Sequence, residues 1–128
     1  MTINCFKPSW MNEEIEMLRE SALKLFKSWE QHDERWRNDG MLDREAWLEA
    51  GEMGFLCASM PEEYGGAGGD FRHETALIYA QAEANMSGFG GSLHSGIVGP
   101  YILHHGTEEQ KQEWLPKIAR GGLIGWPL

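Results

Sequence analysis

The chain is 128 residues long, 41% apolar and 24% charged, which describes a soluble globular protein with one core and little room for a second domain. Its formal net charge of −9 excludes the clustered Lys and Arg on which counterion-release binding to nucleic acid depends. No apolar run approaches the ~18 residues of a membrane-spanning helix, so no membrane insertion is expected. The opening MTINCFKPSWMNEE has neither the apolar core nor the small-residue cleavage site of a secretory signal. Cys5 and Cys57 form no disulfide framework and match no zinc spacing, which fits a reduced, cytoplasmic setting.

In chain order, residues 9–37 read as one long helix. Ile15, Leu18, Ala22, Leu25 and Trp29 recur at steps of three and four, and Phe26 widens the stripe. Asn12 or Ser9 caps its start, and Asn38-Asp39-Gly40 stops it. A shorter helix follows, with Asp43 as N-cap, Ala46, Trp47, Ala50 and Met53 as the buried stripe, and Gly54 as left-handed C-cap. Phe55 to Met60 is an apolar connector that leads into PEEYGGAGGD.

That loop holds four glycines, yet it does not make a phosphate cradle. A dinucleotide fingerprint needs a third glycine where Phe71 stands, and a P-loop needs Lys before Ser or Thr where Gly69-Asp70 stands. The glycines instead predict a tight turn, with Asp70 capping the next helix, which runs from about Arg72 to Met86. Ala76, Leu77, Ala80 and Ala84 form its apolar side. Another helix is predicted from Phe89 to His105. A last one starts at Thr107, whose pairing with Gln110 forms a capping box; Pro116 interrupts it, with a break near Trp114 and Leu115 and a short helical turn after it. No segment alternates with period two, so the fold class is all-α, a bundle of up to six helices within a single domain over residues 1–128.

The Phe89–His105 segment is unusual. Between Gly88 and Gly99 it carries five glycines and two serines, while Leu93, Ile97 and Tyr101 keep steps of four. Each interior glycine costs about 1 kcal/mol relative to alanine. Close packing of a neighbouring helix offsets such a cost, and so does space kept for a ligand; glycine alone does not separate the two. Ile97, Val98, Ile102 and Leu103 predict that this is the most buried helix of the chain.

Other constellations carry little chemistry. His104 and His105 diverge on a helix, His94 lies far from them, and no carboxylate or cysteine stands at ligand spacing, so no metal site is expected. Glu62-Glu63 reads as a solvated turn, and neither Ser92 nor Ser95 lies in a nucleophile elbow. No catalytic set is identifiable.

The ordered blocks Gly54-Phe55-Leu56, Pro61 to Gly68, Leu93-His94-Ser95, Pro100 to Leu103 and Gly106 to Pro116 resemble the N-terminal domain of flavin-dependent acyl-CoA dehydrogenases, from about Asn12 to Gly125. The resemblance implies a three-domain enzyme: this helical domain, a middle β-barrel and a C-terminal four-helix bundle. It also implies FAD held mainly by the later two domains, and a glutamate of the last domain that removes the α-proton of an acyl-CoA while the β-hydride passes to flavin N5. The family continues past Ile124-Gly125 into a threonine-glutamate-proline motif, whereas this sequence reads Trp126-Pro127-Leu128 and stops. The expectation is therefore a truncated domain that by itself binds no cofactor and turns over no substrate.

By the same resemblance, Phe89, Gly90, Gly91, Ser92, Leu93 and Ile97 border the fatty acyl tail of the acyl-CoA, and enlarging Gly91 to leucine should favour shorter acyl groups. The surface that the barrel covers in the family predicts a homo-oligomer, with Trp114, Leu123, Ile124, Trp126 and Leu128 buried between chains. An acyl-CoA oxidase, a flavin monooxygenase relative and a non-catalytic helical binding module remain alternatives.

Overall fold

A computed structural model describes residues 7–125. Among these residues the order is α1 (Glu13–Ser28), α2 (Glu30–Asp39), α3 (Arg44–Glu52), a 3₁₀ turn (Glu62–Tyr64), α4 (Phe71–Glu83), α5 (Gly91–Leu93), a π-turn (His94–Val98), α6 (Gly99–His105) and α7 (Glu108–Ala119). α5, the π-turn and α6 follow one another without a break and form a single rod; counted as one helix, the rod makes six helices, and no strand occurs among the described residues.

The predicted long first helix is two helices. Asn12 caps it as expected, its Oδ1 accepting from the Ile15 N–H at 2.9 Å, but it ends at Ser28, whose Oγ donates back to the Leu25 carbonyl at 2.5 Å. Such back-bonding competes with the helix ladder and bends the chain. The break turns Trp29 inward and carries Trp36 into the same cluster, with ring centroids 5.9 Å apart. Gly40 then stops α2 at a φ of 77°.

α3 starts after Asp43, whose side chain makes no cap. Both its oxygens accept from Arg35, at 2.8 and 2.5 Å, and this pairing pulls the Asp43 carboxyl down to about 2. Met53, expected in the buried stripe, is 54% exposed, because α3 ends at Glu52 and the chain turns through Gly54 at a φ of 78°. The connector is buried as predicted: Phe55, Leu56, Cys57, Ala58 and Met60 are all in the core.

α1 lies along α4. Between them and α3, the rings of Phe26, Trp29, Trp47, Phe55 and Phe89 meet at centroid distances of 4.7 to 6.4 Å. Tilted and edge-on aromatic contacts of this kind add to the burial energy of the rings themselves. Asp70 caps α4 through the Arg72 N–H, as the sequence suggests, and Thr107 with Gln110 caps α7. α7 does not break at Pro116 but runs on to Ala119. Proline removes one donor there, and the carbonyl it leaves belongs to Gln112, an exposed residue whose backbone water can serve.

The rod departs most from expectation. Its buried residues are Gly91, His94, Ser95 and Gly99, whereas Ile97 is 59% and Tyr101 69% exposed. It is not the most buried helix. Its small and polar face turns inward, and part of its apolar stripe turns out.

Candidate functional site

The glycine-rich turn settles first. Tyr64 N–H donates to the Pro61 carbonyl, Gly65 to Glu62, Gly66 to Pro61, Gly68 to Met60 and Gly69 to Ala58, over 2.9 to 3.2 Å. The Asp70 N–H donates to His73 Nδ1. Amides spent on the turn itself are not free for a pyrophosphate, and the Asp70 carboxylate beside them repels one. Gly65 and Gly68 take the positive φ values, 90° and 72°, that the turn demands. Tyr64 closes the turn onto α7, its hydroxyl donating to both oxygens of Glu108 at 3.0 Å.

The six residues expected along an acyl chain do not line one concave wall. Phe89 is a core plug, 4.7 Å from the Trp47 ring and 5.6 Å from Phe26. Gly91 is buried beneath it: a Cβ on Gly91 would sit 2.4 Å from Phe89 Cε1. Gly90 opens instead onto a cleft of ≈ 560 Å³ with Met41, Leu42, Arg44, Trp47 and Ile124. Ser92 faces a groove of ≈ 340 Å³ on the α4 side, beside Ile78, Gln81 and Asn85. Leu93 is half-buried and Ile97 points to solvent. Beside Ile97, Gly96 has nothing within 4 Å of where a Cβ would stand. Of the glycines on the rod, Gly96 is thus the one with open space, and its neighbour in sequence is the exposed Ile97.

Three buried titratable groups, His94, Cys57 and Glu74, lie on or beside the rod. His94 is fully buried, with both ring nitrogens engaged: Nε2 donates to the Ile118 carbonyl at 2.8 Å and Nδ1 accepts from the Gly125 N–H at 2.9 Å. Burial pushes the imidazole below its ordinary value, so the neutral form is held. Ser95, next to it, accepts from the Cys57 N–H at 2.9 Å with its hydroxyl. Cys57 takes a φ of 54°, and burial pushes its thiol up to about 12, which leaves an unreactive thiol. Glu74 of α4 accepts from the Ser59 N–H and Oγ at 3.0 and 3.2 Å, and burial pushes its carboxyl above the usual carboxylate value. It borders a small void shared with Gly91, Ser92 and Gln81.

His94 has no lone pair to spare. A ring with both nitrogens committed ligates no metal, and no group of three His, Cys, Asp or Glu side chains comes together among the described residues. His104 and His105 end α6, where cations suit the helix dipole. The sequence missed the roles of His94 and Glu74, although a signal for each was present. His94 sits among small residues on an otherwise apolar helix, and Glu74 stands three and four residues before Leu77 and Ile78.

Residues 12–122 match the family model described as "Acyl-CoA dehydrogenase, N-terminal domain". The chain belongs to this family. Among its relatives, the long-chain specific acyl-CoA dehydrogenase of Rattus norvegicus, described as mitochondrial, is 38% identical over 115 residues, covering 89% of this chain and 27% of that protein. An acyl-CoA dehydrogenase of Mycobacterium tuberculosis is 42% identical over 84 residues, 62% of this chain and 20% of that protein. The crystal structure of an acyl-CoA dehydrogenase from Geobacillus kaustophilus superposes with a TM-score of 0.86 at 38% identity, covering 92% of this chain and 31% of that one. The chain therefore spans about a fifth to a third of the length of these dehydrogenases. The helical architecture is that of the family's all-α N-terminal domain, and no helix among the described residues is long and apolar enough to cross a membrane.

Proposed function

We propose that this acyl-CoA dehydrogenase domain, a single unit over residues 1–128, forms one wall of an acyl-chain pocket and performs no proton or hydride transfer of its own. The reaction it serves is the α,β-dehydrogenation of an acyl-CoA thioester, with FAD as the family's electron acceptor. The observation that carries this reading is the rod: a family-matched helix that keeps Gly96 open and Ile97 and Tyr101 exposed, at the positions where an apolar guest gains most by covering them. The amides of the glycine-rich turn bond within the chain, so this turn does not fit a flavin pyrophosphate. What the described residues supply is shape and exclusion of water. Long acyl chains suit the open glycine positions, in keeping with the name of the rat relative.

Gly91→Leu is a poor probe of this wall, since its new side chain collides with Phe89. Gly96→Leu is the suitable one. Residues 12–122 can replace the matching segment of the Geobacillus kaustophilus enzyme, and kcat/KM can then be compared across acyl-CoA lengths for the chimera with and without Gly96→Leu. A loss of about tenfold or more for long chains, with short chains spared, is expected. An unchanged chain-length profile in an active chimera would contradict the wall.

Trp114 and Leu123 are also exposed, and we infer a homo-oligomer that covers them. Ile124 is already half-buried at the edge of the core, while Trp126 and Leu128 lie outside the described residues. Static light scattering showing a strict monomer at high concentration would remove this inference. A reducing, cytoplasmic setting suits the free buried thiol of Cys57.

A further inference from the structure

Besides the backbone bonds of Gly121, Gly122 and Leu123 to Ile118 and Lys117 of α7, the segment that leaves α7 is fastened at three points. A Cβ on Gly121 would lie 2.3 Å from the Trp47 carbonyl, so glycine at a φ of 77° lets the backbone lie directly on α3. The Gly122 carbonyl accepts from Arg44 Nη2. Gly125 donates its N–H to His94 Nδ1, and its Cα side rests on Val98 of the π-turn, with 2.6 Å from an added Cβ to Val98 Cγ1. Of the three fastenings, the last alone contains a group that titrates near neutrality. We propose that His94 is a proton-sensitive joint, which in its neutral Nε2–H form ties the rod to both α7 and Gly125, and which on protonation releases Ile124 and Gly125 from the rod while Gly121, Gly122 and Leu123 stay fixed on α3 and α7.

The chemistry follows from the two partners. The Ile118 carbonyl accepts only, so it fixes the proton on Nε2 and leaves Nδ1 with its lone pair aimed at the Gly125 N–H. Adding a proton to Nδ1 sets donor against donor, and the Gly125 bond is lost whereas the Ile118 bond is kept. Ile124 goes with Gly125, and it is a wall of the ≈ 560 Å³ cleft beside Gly90 and Trp47. Release therefore opens that cleft and uncovers Val98.

No charged neighbour masks the effect. α3 presents to His94 the ring of Trp47, at a centroid distance of 5.1 Å, and its Arg44 is committed to the Gly122 carbonyl. From α7 comes the Ile118 carbonyl, with Lys117 and Arg120 exposed to solvent. The connector brings the Cys57 thiol, neutral at all relevant pH, and α4 contributes the buried Glu74, which is bonded to Ser59. On the rod itself the neighbour is Ser95. Because burial depresses the imidazole, the unfolded chain binds the proton first, and the contribution of the joint is complete above about 6.5 and declines as the pH falls below it.

The test is a titration of the 128-residue chain labelled with ¹⁵N, following the ring nitrogens of His94, assigned by ring-to-backbone correlations, together with the Gly125 amide. The expected result is an Nε2–H tautomer at pH 7.5 and a midpoint below the ordinary imidazole value. At that midpoint the Gly125 amide should shift upfield and lose about tenfold or more of its exchange protection, with Gly122 unchanged. An Nδ1–H tautomer overturns the proposal. So does a His94 titration that leaves the Gly125 amide where it was.

Discussion

In α1 the residues at helical steps, Ile15, Ala22, Leu25 and Phe26, are buried, whereas in the rod the residues at the same spacing, Ile97 and Tyr101, face solvent. The two segments have similar apolar patterns and opposite orientations. What separates them is the other face. Opposite its stripe α1 carries glutamates and lysines that stay wet, and Arg19, which is held by Glu16 and Glu83; opposite its own the rod carries Gly91, His94, Ser95 and Gly99, which are small or fully hydrogen-bonded and can be buried. A helix with two buriable faces chooses by fit, and the close approach of Met60, Cys57 and Phe89 selects the small one. The apolar face left outside is then available for something else to cover.

The largest effect should come from the packed side. Phe89→Ala removes a ring that touches Phe26, Trp29 and Trp47, and chemical denaturation should show a loss of about 3–5 kcal/mol. Gly91→Leu, on the buried face of the rod, overpacks the same cluster and should cost about 1–3 kcal/mol. Gly96→Leu, five residues further and on the open side, should leave the midpoint unchanged or raise it; a loss equal to that of Gly91→Leu would abolish the contrast between the faces. Thr107→Ala removes an N-cap from α7 and should cost about 1 kcal/mol in the same assay.

A subtler prediction separates two of the buried titratable groups. Glu74 has its carboxyl raised by burial, so its stabilising form is complete below about 4.5 and is lost as the pH rises through the folded value. Glu74→Gln keeps an acceptor for Ser59 and carries no charge, so it should flatten that part of the stability profile and make the chain more stable at pH 7. His94 has the opposite slope. A Glu74→Gln profile that is less stable than the parent at pH 7 would show that the carboxylate is held charged.

Much of this fold is legible in the sequence because local chemistry and tertiary packing agree there. Asn12, Asp70 and the Thr107–Gln110 pair cap where expected, and Gly40 and Gly54 stop helices in the left-handed conformation. The errors fall where tertiary contacts override local pattern. Ser28 and the inward Trp29 divide a helix that periodicity reads as continuous, and Pro116 is tolerated because the carbonyl it strands faces water. Asp43 is drawn from its cap by Arg35. The orientation of the rod was hidden because periodicity reports that a stripe exists and not which face is turned inward. Of the six proposed acyl-facing residues, Phe89 is identified as core by its contacts with Phe26, Trp29 and Trp47, and Gly91 by its contact with Phe89, relations that sequence spacing does not encode.

The orientation of the rod is tested most directly by thiol labelling of single-cysteine substitutions in a Cys5→Ser background, with Cys57 as a buried internal control. In the dilute folded chain, Ile97→Cys should react with a maleimide within about threefold of its rate in denaturant, while Ser95→Cys should be protected by about a hundredfold or more. Equal reactivity at the two positions, or protection of Ile97→Cys with Ser95→Cys exposed, would contradict a rod that buries its small face and offers its apolar one.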